Sequence, residues 1–228
     1  MRPFPDRAEI LDGLMKDRRS IRGFRADPVP QPLLDTIFAT AQQAPSNCNA
    51  QPWVVEVVGG ETAEKLRHAL HAAAASGDPP SPDVPFTTTY EGEYRTRQID
   101  SAKALFAATG VKREDTAARR ESFLRNFRFF DAPHAAFLFM PEWAGWREAA
   151  DCGMYAQSLM LALTAHGLGS CPQAALSQYA AIVHRELGVP ENLRLIFGIA
   201  FGYEDTDHPA NATRTVRAPL AETTIFHD

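Results

Sequence analysis

The chain has 228 residues, enough to bury a sizeable core within one domain. Its 23 basic residues against 28 acidic ones leave a net charge of −5, which excludes a general attraction for nucleic-acid phosphates or anionic lipid, so any bound anion is held by a local site. Three cysteines, Cys48, Cys152 and Cys171, cannot all pair within the chain and match no zinc spacing; reduced thiols and no structural metal are expected.

The first six residues carry neither a secretory nor a transit signal, so a cytoplasmic protein is expected. Over residues 8–16, Ile10, Leu11, Leu14 and Met15 recur at helical spacing and predict a short helix that gives way to Arg18-Arg19-Ser20-Ile21-Arg22. A second helix opens at Pro32, acceptable in a first turn, with Leu33, Leu34, Ile37, Phe38 and Ala41 on one face, and ends at Ala44-Pro45. Residues 45–52 form a polar loop. Trp53-Val54-Val55-Glu56-Val57-Val58 has the β-branched content of a buried strand, closed by Gly59-Gly60, and a helix over 62–75 follows.

Residues 77–92, with four prolines and three consecutive threonines, predict an irregular surface excursion bordering a ligand site. Arginine-rich helices come next, roughly over 93–108 and 114–129. A strand over 134–140 precedes a helix over 151–166 that is apolar nearly all round and therefore central. Its most apolar part, 154–165, is too short to cross a bilayer. Gly167 and Gly169 end it, Ser177 caps a further helix through Leu187, and residues 194–202 supply a last apolar strand. In the polar tail, Thr223-Thr224-Ile225-Phe226 suits an edge strand. Helices and strands mix without regular βαβ alternation or internal repeat, which indicates an α+β layered domain. A tail with so little apolar surface calls for a receiver outside the domain, and dimerisation by tail exchange is expected.

Three stretches have chemical character. Three guanidinium groups and a hydroxyl within Arg18 to Arg22 suit a phosphate, since guanidinium forks offer parallel donors; a solvated basic turn is the bland alternative, and Arg214 and Arg217 form a second such cluster. Asn47, Asn49 and Gln51, beside Pro45 and Ser46, suit the polar edge of a heterocycle, or else satisfy backbone groups at a helix end. In Gly167-Leu168-Gly169-Ser170-Cys171-Pro172-Gln173, the glycines let backbone approach a flat ligand or simply cap a helix. No dinucleotide or triphosphate fingerprint occurs.

Taken in order, Arg18-Arg19-Ser20-Ile21-Arg22, Ala44-Pro45-Ser46-Asn47 with Gln51-Pro52-Trp53, Gly167 to Gln173, and Arg214-x-x-Arg217-x-Pro219-Leu220 resemble the FMN-dependent nitroreductase family over nearly the whole chain. The resemblance implies a single nitroreductase-like layered α/β/α domain over 1–228 with a central, mostly antiparallel sheet, in an intertwined homodimer with FMN sites at the subunit interface. Residues 77–131 would be a helical excursion covering the substrate pocket, and 214–228 an arm to the partner.

By matching positions, Arg18, Ser20, Arg214 and Arg217 would hold the FMN phosphate, with Arg19 at a position of mixed identity. Arg22 would stand at the N1/O2 edge of the ring as electrostatic support. Pro45, Ser46, Asn47, Asn49 and Gln51 would come from the other subunit, and Pro172 and Gln173 would lie beside the ring. The implied activity is ping-pong reduction of nitroaromatic compounds to hydroxylamines with NADH or NADPH as donor. The stretch 90–133, with 170–175, looks closer to bacterial nitrobenzoate and nitroaromatic reductases, and Phe123 and Phe127 are substrate-pocket candidates. Quinones, enones and halogenated aromatics are alternative acceptors on the same fold, and a flavin-free thiol enzyme using Cys171 and His166 is a distant one.

Overall fold

The computed structural model describes residues 5–85 and 89–227; the opening of the chain and the centre of the proline- and threonine-rich excursion lie outside them. In chain order the helices are α1 (Pro5–Asp17), α2 (Gln31–Ala41), α3 (Gly60–Ser76), α4 (Gly92–Thr109), α5 (Thr116–Leu124), α6 (Trp146–Ala165), α7 (Ala180–Leu187) and α8 (Leu220–Thr223). The strands are β1 (Val54–Gly59), β2 (His134–Pro141), β3 (Gly169–Gln173) and β4 (Leu193–Gly202).

Alternation along β2 creates the layers. Ala135, Phe137 and Phe139 are buried in one core, with Leu66 and Leu70 of α3 and Val183 of α7; Ala136, Leu138 and Met140 are buried in another, with Ile37 of α2 and Tyr155, Leu159 and Leu163 of α6. Both faces are covered, so β2 reads as a continuous apolar run. Each fully buried Phe or Leu contributes roughly 1.5–3 kcal/mol. The sheet order is β1-β2-β4-β3, antiparallel throughout, with a bulge in the β2–β4 register at Leu138/Phe139. The expected α+β layered class, with helices on both faces of an antiparallel sheet, is the one observed.

Several expectations need correction. Residues 53–58 suggested a buried strand, yet β1 is at the sheet edge, with Val54 and Val57 exposed. The predicted helix over 114–129 stops as α-helix at Leu124, and Arg125–Asp131 continues as 3-10 turns with Phe129, Phe130 and Asp131 at φ of 56°, 52° and 66°. Phe127, Phe129 and Phe130 are all buried, and a regular α-helix cannot turn three such closely spaced side chains into one core. Arg67 stitches this segment, its Nε donating to the Arg128 carbonyl (3.0 Å) and its Nη2 to that of Ala132 (2.6 Å).

Ser177 does not cap a helix. Its hydroxyl donates back to the Ala174 carbonyl (2.9 Å) within a 3-10 turn, and α7 begins at Ala180. Residues 169–173 form an unanticipated edge strand, which tolerates Pro172 because an edge leaves one side without ladder bonds. α6 begins earlier than expected, at Trp146, and is not buried all round: Gly153 and Met154 are exposed. The tail makes α8 rather than an edge strand, and Ile225 and Phe226 are exposed in this chain.

Candidate functional site

At the end of α1, Asp17 gives way to an extended segment that runs beside β3 and the loop after β4. Ser20 bridges Ser170, the Ile21 N–H donates to the Ser170 carbonyl (2.9 Å), and the Arg25 N–H donates to that of Tyr203 (2.9 Å). The approach is close enough to demand glycine at two positions. A Cβ on Gly169 would stand 2.7 Å from Ile21 Cγ1, and one on Gly23 would stand 2.2 Å from His208 Cγ. Gly167, at φ 73°, closes the turn after α6. Close packing on Ile21 accounts for Gly169 and the left-handed turn after α6 for Gly167, so neither glycine of the 167–173 stretch needs a flat ligand to explain it.

This segment and the tail enclose a hollow of about 370 Å³ lined by Lys16, Arg18, Arg19, Ser20, Arg22, Ser101, Thr213, Arg214 and Arg217 among others, with no carboxylate among the described residues. A neighbouring hollow of about 400 Å³ shares Lys16, Arg19 and Arg214 and reaches Thr164 at the end of α6. Arg18 is pulled below the usual guanidinium value, first by burial and then by the like charge of Arg217. Among the described residues only Arg19 of these cations has an ion-pair partner: its Nη2 meets Glu204 Oε1 at 2.5 Å and its Nη1 donates to the Asn211 carbonyl (2.8 Å). Arg19 is thus already paired within the chain, although it too lines the hollow. Ser170 Oγ and Thr213 Oγ1, which line these hollows, are buried without a hydrogen-bond partner among the described residues.

Behind the arginines lies Asn211, 3% exposed. Its Oδ1 accepts from the Arg22 N–H (2.7 Å), its Nδ2 donates to the carbonyls of Gly23 and Asp205 (2.8 Å each), and its own carbonyl accepts from Arg19 and from Arg214 Nη1 (2.8 Å each). Arg22 also stands over the Phe130 ring at 6.0 Å, and Arg125 Nη2 donates to the Arg22 carbonyl (2.9 Å), so the 125–131 segment braces the site from another side. Gln173, 3% exposed, donates to the Asn126 carbonyl (2.9 Å) and side-chain oxygen (3.3 Å) and leaves Oε1 unpartnered; Pro172 is exposed.

The amide loop lies elsewhere. Pro45, Asn47, Asn49 and Gln51 are exposed and Ser46 half-buried. The Ser46 hydroxyl accepts from the Gln51 N–H (2.9 Å), so for that residue the backbone-satisfying role is realised. The Asn47 N–H donates to Asp151 Oδ2 (3.1 Å), a carboxylate near the start of α6 that is 4% exposed. Cys48, Asn49 and Gln51 have φ of 50°, 57° and 49°, a left-handed run in non-glycine residues that costs on the order of 1 kcal/mol each and marks a shaped loop. A helix rises about 1.5 Å per residue, so Asp151 and Thr164 stand roughly 20 Å apart along α6. Arginine hollow and amide loop do not meet within one chain.

The two aromatic candidates part company: Phe123 is 46% exposed, whereas Phe127 is fully buried between Phe123 and Tyr179 and belongs to the core. The thiol alternative also fails, because burial pushes the Cys171 thiol up, against a thiolate, despite nearby Arg22 and Ser20. Sequence reasoning missed Asn211, Glu204 and Asp151. Only Asn211 carried a local signal, as Asn after Pro209-Ala210, and that signal reads as a turn.

A model described as the nitroreductase family matches residues 15–203. Nitroreductase NfnB of Mycolicibacterium smegmatis is 44% identical over 98% of this chain and 95% of its own length. A nitrobenzene nitroreductase of Ectopseudomonas oleovorans is 34% identical over 95% of this chain and 96% of its own length. The crystal structure of the FMN-dependent NfnB from Mycobacterium smegmatis in complex with NADPH matches with a TM-score of 0.93 at 44% identity, over 97% of this chain and 99% of that one.

Proposed function

This chain belongs to the nitroreductase family, and from that premise we infer that it binds FMN and reduces nitroaromatic compounds to hydroxylamines with NADH or NADPH as donor. The observation that carries the reading is the carboxylate-free hollow of Arg18, Ser20, Arg22, Arg214 and Arg217 in a chain of net charge −5. Like charges brought together without counter-ions repel one another, and a phosphate dianion offsets that repulsion with charge-assisted hydrogen bonds. The FMN phosphate fits this donor set, with the unpartnered Thr213 hydroxyl as a neutral contact.

Bound there, FMN supplies the hydride chemistry. The chain's own residues bind and orient it. Arg18, Ser20, Arg214 and Arg217 take the phosphate. Arg22, braced by Phe130 and Arg125, holds positive charge toward the N1/O2 edge of the ring. The outer edge of β3, with Pro172, would lie beside the ring, and Gln173 steadies the 125–131 segment through Asn126.

The ring needs a second wall. We assign it to Pro45, Ser46, Asn47, Asn49 and Gln51 of a second copy, because these residues stand at the other end of α6 from the hollow in their own chain. The protein then acts as a homodimer, with residues 214–228 as the arm to the partner and exposed Ile225 and Phe226 as its apolar contacts. Residues 77–131 cover the substrate, and Phe123 is the aromatic available to it. We place the protein in the cytoplasm, in keeping with its three free thiols. No helix among the described residues is long and apolar enough to cross a membrane.

The test is a visible absorption spectrum of the purified protein, before and after anaerobic NADH or NADPH, then after a nitrobenzoate is added. Flavin bands that bleach with one nucleotide and return with the acceptor are the expected result. A protein that stays colourless after FMN is supplied overturns the assignment.

A further inference from the structure

We propose that Asn211 is a positioning residue for the FMN phosphate, one that sets where Arg214 stands without itself lining the hollow; the inference rests on the FMN reading above. Asn211 is almost fully buried, and its amide uses both donor hydrogens and its oxygen at 2.7–2.8 Å. These three bonds tie two chain segments, 22–23 and 205–211, that lie far apart in sequence. So fixed, the Asn211 carbonyl presents one acceptor to two guanidinium groups, those of Arg19 and Arg214.

The dependence is unequal. Arg19 keeps Glu204 if the Asn211 side chain is lost, whereas among the described residues the only other hydrogen bond of the Arg214 side chain is to the adjacent Thr213 carbonyl (3.0 Å). Arg22 loses the acceptor for its backbone N–H. The Asn211 N–H bond to the His208 carbonyl (2.9 Å) persists, so the short 3-10 turn at Pro209–Ala212 remains while its orientation is freed. Neither alanine nor aspartate reproduces these bonds. Alanine removes all three bonds. Aspartate keeps the acceptor for Arg22 but sets a second carboxylate oxygen against the carbonyls of Gly23 and Asp205.

A purely structural role would weaken every ligand alike; a role in aligning phosphate donors is specific to the phosphate. The experiment is therefore a fluorescence-quenching titration of flavin-free wild-type, Asn211→Ala and Asn211→Asp protein with FMN and, separately, with riboflavin. Thermal melting of each flavin-free protein is run alongside. Asn211→Ala is expected to weaken FMN by about tenfold or more and riboflavin by less than about threefold, collapsing the preference for the phosphorylated ligand. Asn211→Asp, nearly isosteric, is expected to fall between, and it decides the matter if the alanine variant does not fold. Equal losses for the two flavins, or unchanged FMN binding in a folded variant, overturn the inference alone. A wild type that binds neither flavin overturns the functional reading and the inference with it.

Discussion

At its C-terminal end α6 lines a hollow that adjoins the arginine hollow and shares Arg19 and Arg214 with it, where Asn211, Phe130 and Arg125 brace the arginines from behind, while at its N-terminal end it meets a loop whose amide side chains are exposed. The contrast follows from what each end must bind. Taking a phosphate out of water is offset only by donors already aligned, because every donor that must be ordered on binding subtracts its own entropy. The arginine hollow is lined within one chain. A flat ring demands less directional precision but needs an apolar wall on each face, and two surfaces that close on each other supply it. The loop at the far end of α6 is shaped, with its three left-handed residues, yet has no counterpart in its own chain.

The sharpest way to break this division is to remove residues 217–228. On the proposed reading, the truncated protein loses Arg217 from the phosphate end and the arm that brings a second copy to the ring end. Monomer or aggregate on a sizing column, together with loss of retained flavin, is expected; an unchanged dimer holding FMN would show that the arm closes nothing. Arg18→Ala comes next. Losing one charge-assisted contact weakens FMN by about 10- to 100-fold. The same substitution removes a cation repelled by Arg217, so the flavin-free protein should melt at the same or a higher temperature. A lower melting temperature alongside weaker binding would mark Arg18 as a structural residue instead.

The elements that were legible in the sequence are those whose signal is local. β2 carries a contiguous apolar run that is buried on both faces of the sheet and α6 a long apolar stretch, and the arginine and amide clusters stand out by chemistry within a few positions. The illegible parts depend on partners far along the chain. Gly169-Ser170-Cys171-Pro172-Gln173 contains no β-branched residue, and it becomes a strand because β4 offers it a ladder. Phe123 and Phe127 are helix-spaced neighbours whose rings touch, with centroids 5.4 Å apart, and nothing local says which faces Tyr179 and the core. Arg19 and Arg18 are adjacent and chemically identical. Only Glu204, 185 positions on from Arg19, separates the one that is paired from the one left for an anion.

Asp151 tests the ring end in the way that Asn211 and Arg18 test the phosphate end. It is a buried carboxylate holding the Asn47 N–H, and Asp151→Ala frees the amide loop. FMN and riboflavin are expected to weaken together, by about threefold each, for the loss of roughly one ordinary hydrogen bond's net contribution. A change in their ratio would place Asp151 with the phosphate and dissolve the division between the two ends.

The smallest effect is a pH dependence confined to the braced end. His208 packs against Gly23 and accepts the Ala210 N–H at Nδ1 (3.2 Å). Its pKa lies below 6.5, lowered first by burial and then by Arg125, with Asp205 and Asp131 acting in the opposite sense. The folded chain thus takes up this proton less readily than the unfolded chain. The stabilisation is present in full above pH 6.5 and is lost as pH falls from there through the folded value.

His134, whose pKa burial also lowers, has the same sign but sits between Val29 and Phe201, away from the hollow. Melting curves therefore mix the two histidines, whereas FMN affinity isolates His208. His208→Asn retains an acceptor that does not titrate. Between pH 7 and 5 its FMN affinity should fall less than that of the wild type, by a factor of about two. The phosphate, which titrates near pH 6, contributes equally to both proteins and cancels in the comparison. Identical slopes would mean that His208 packs against Gly23 without governing the arginines beyond it.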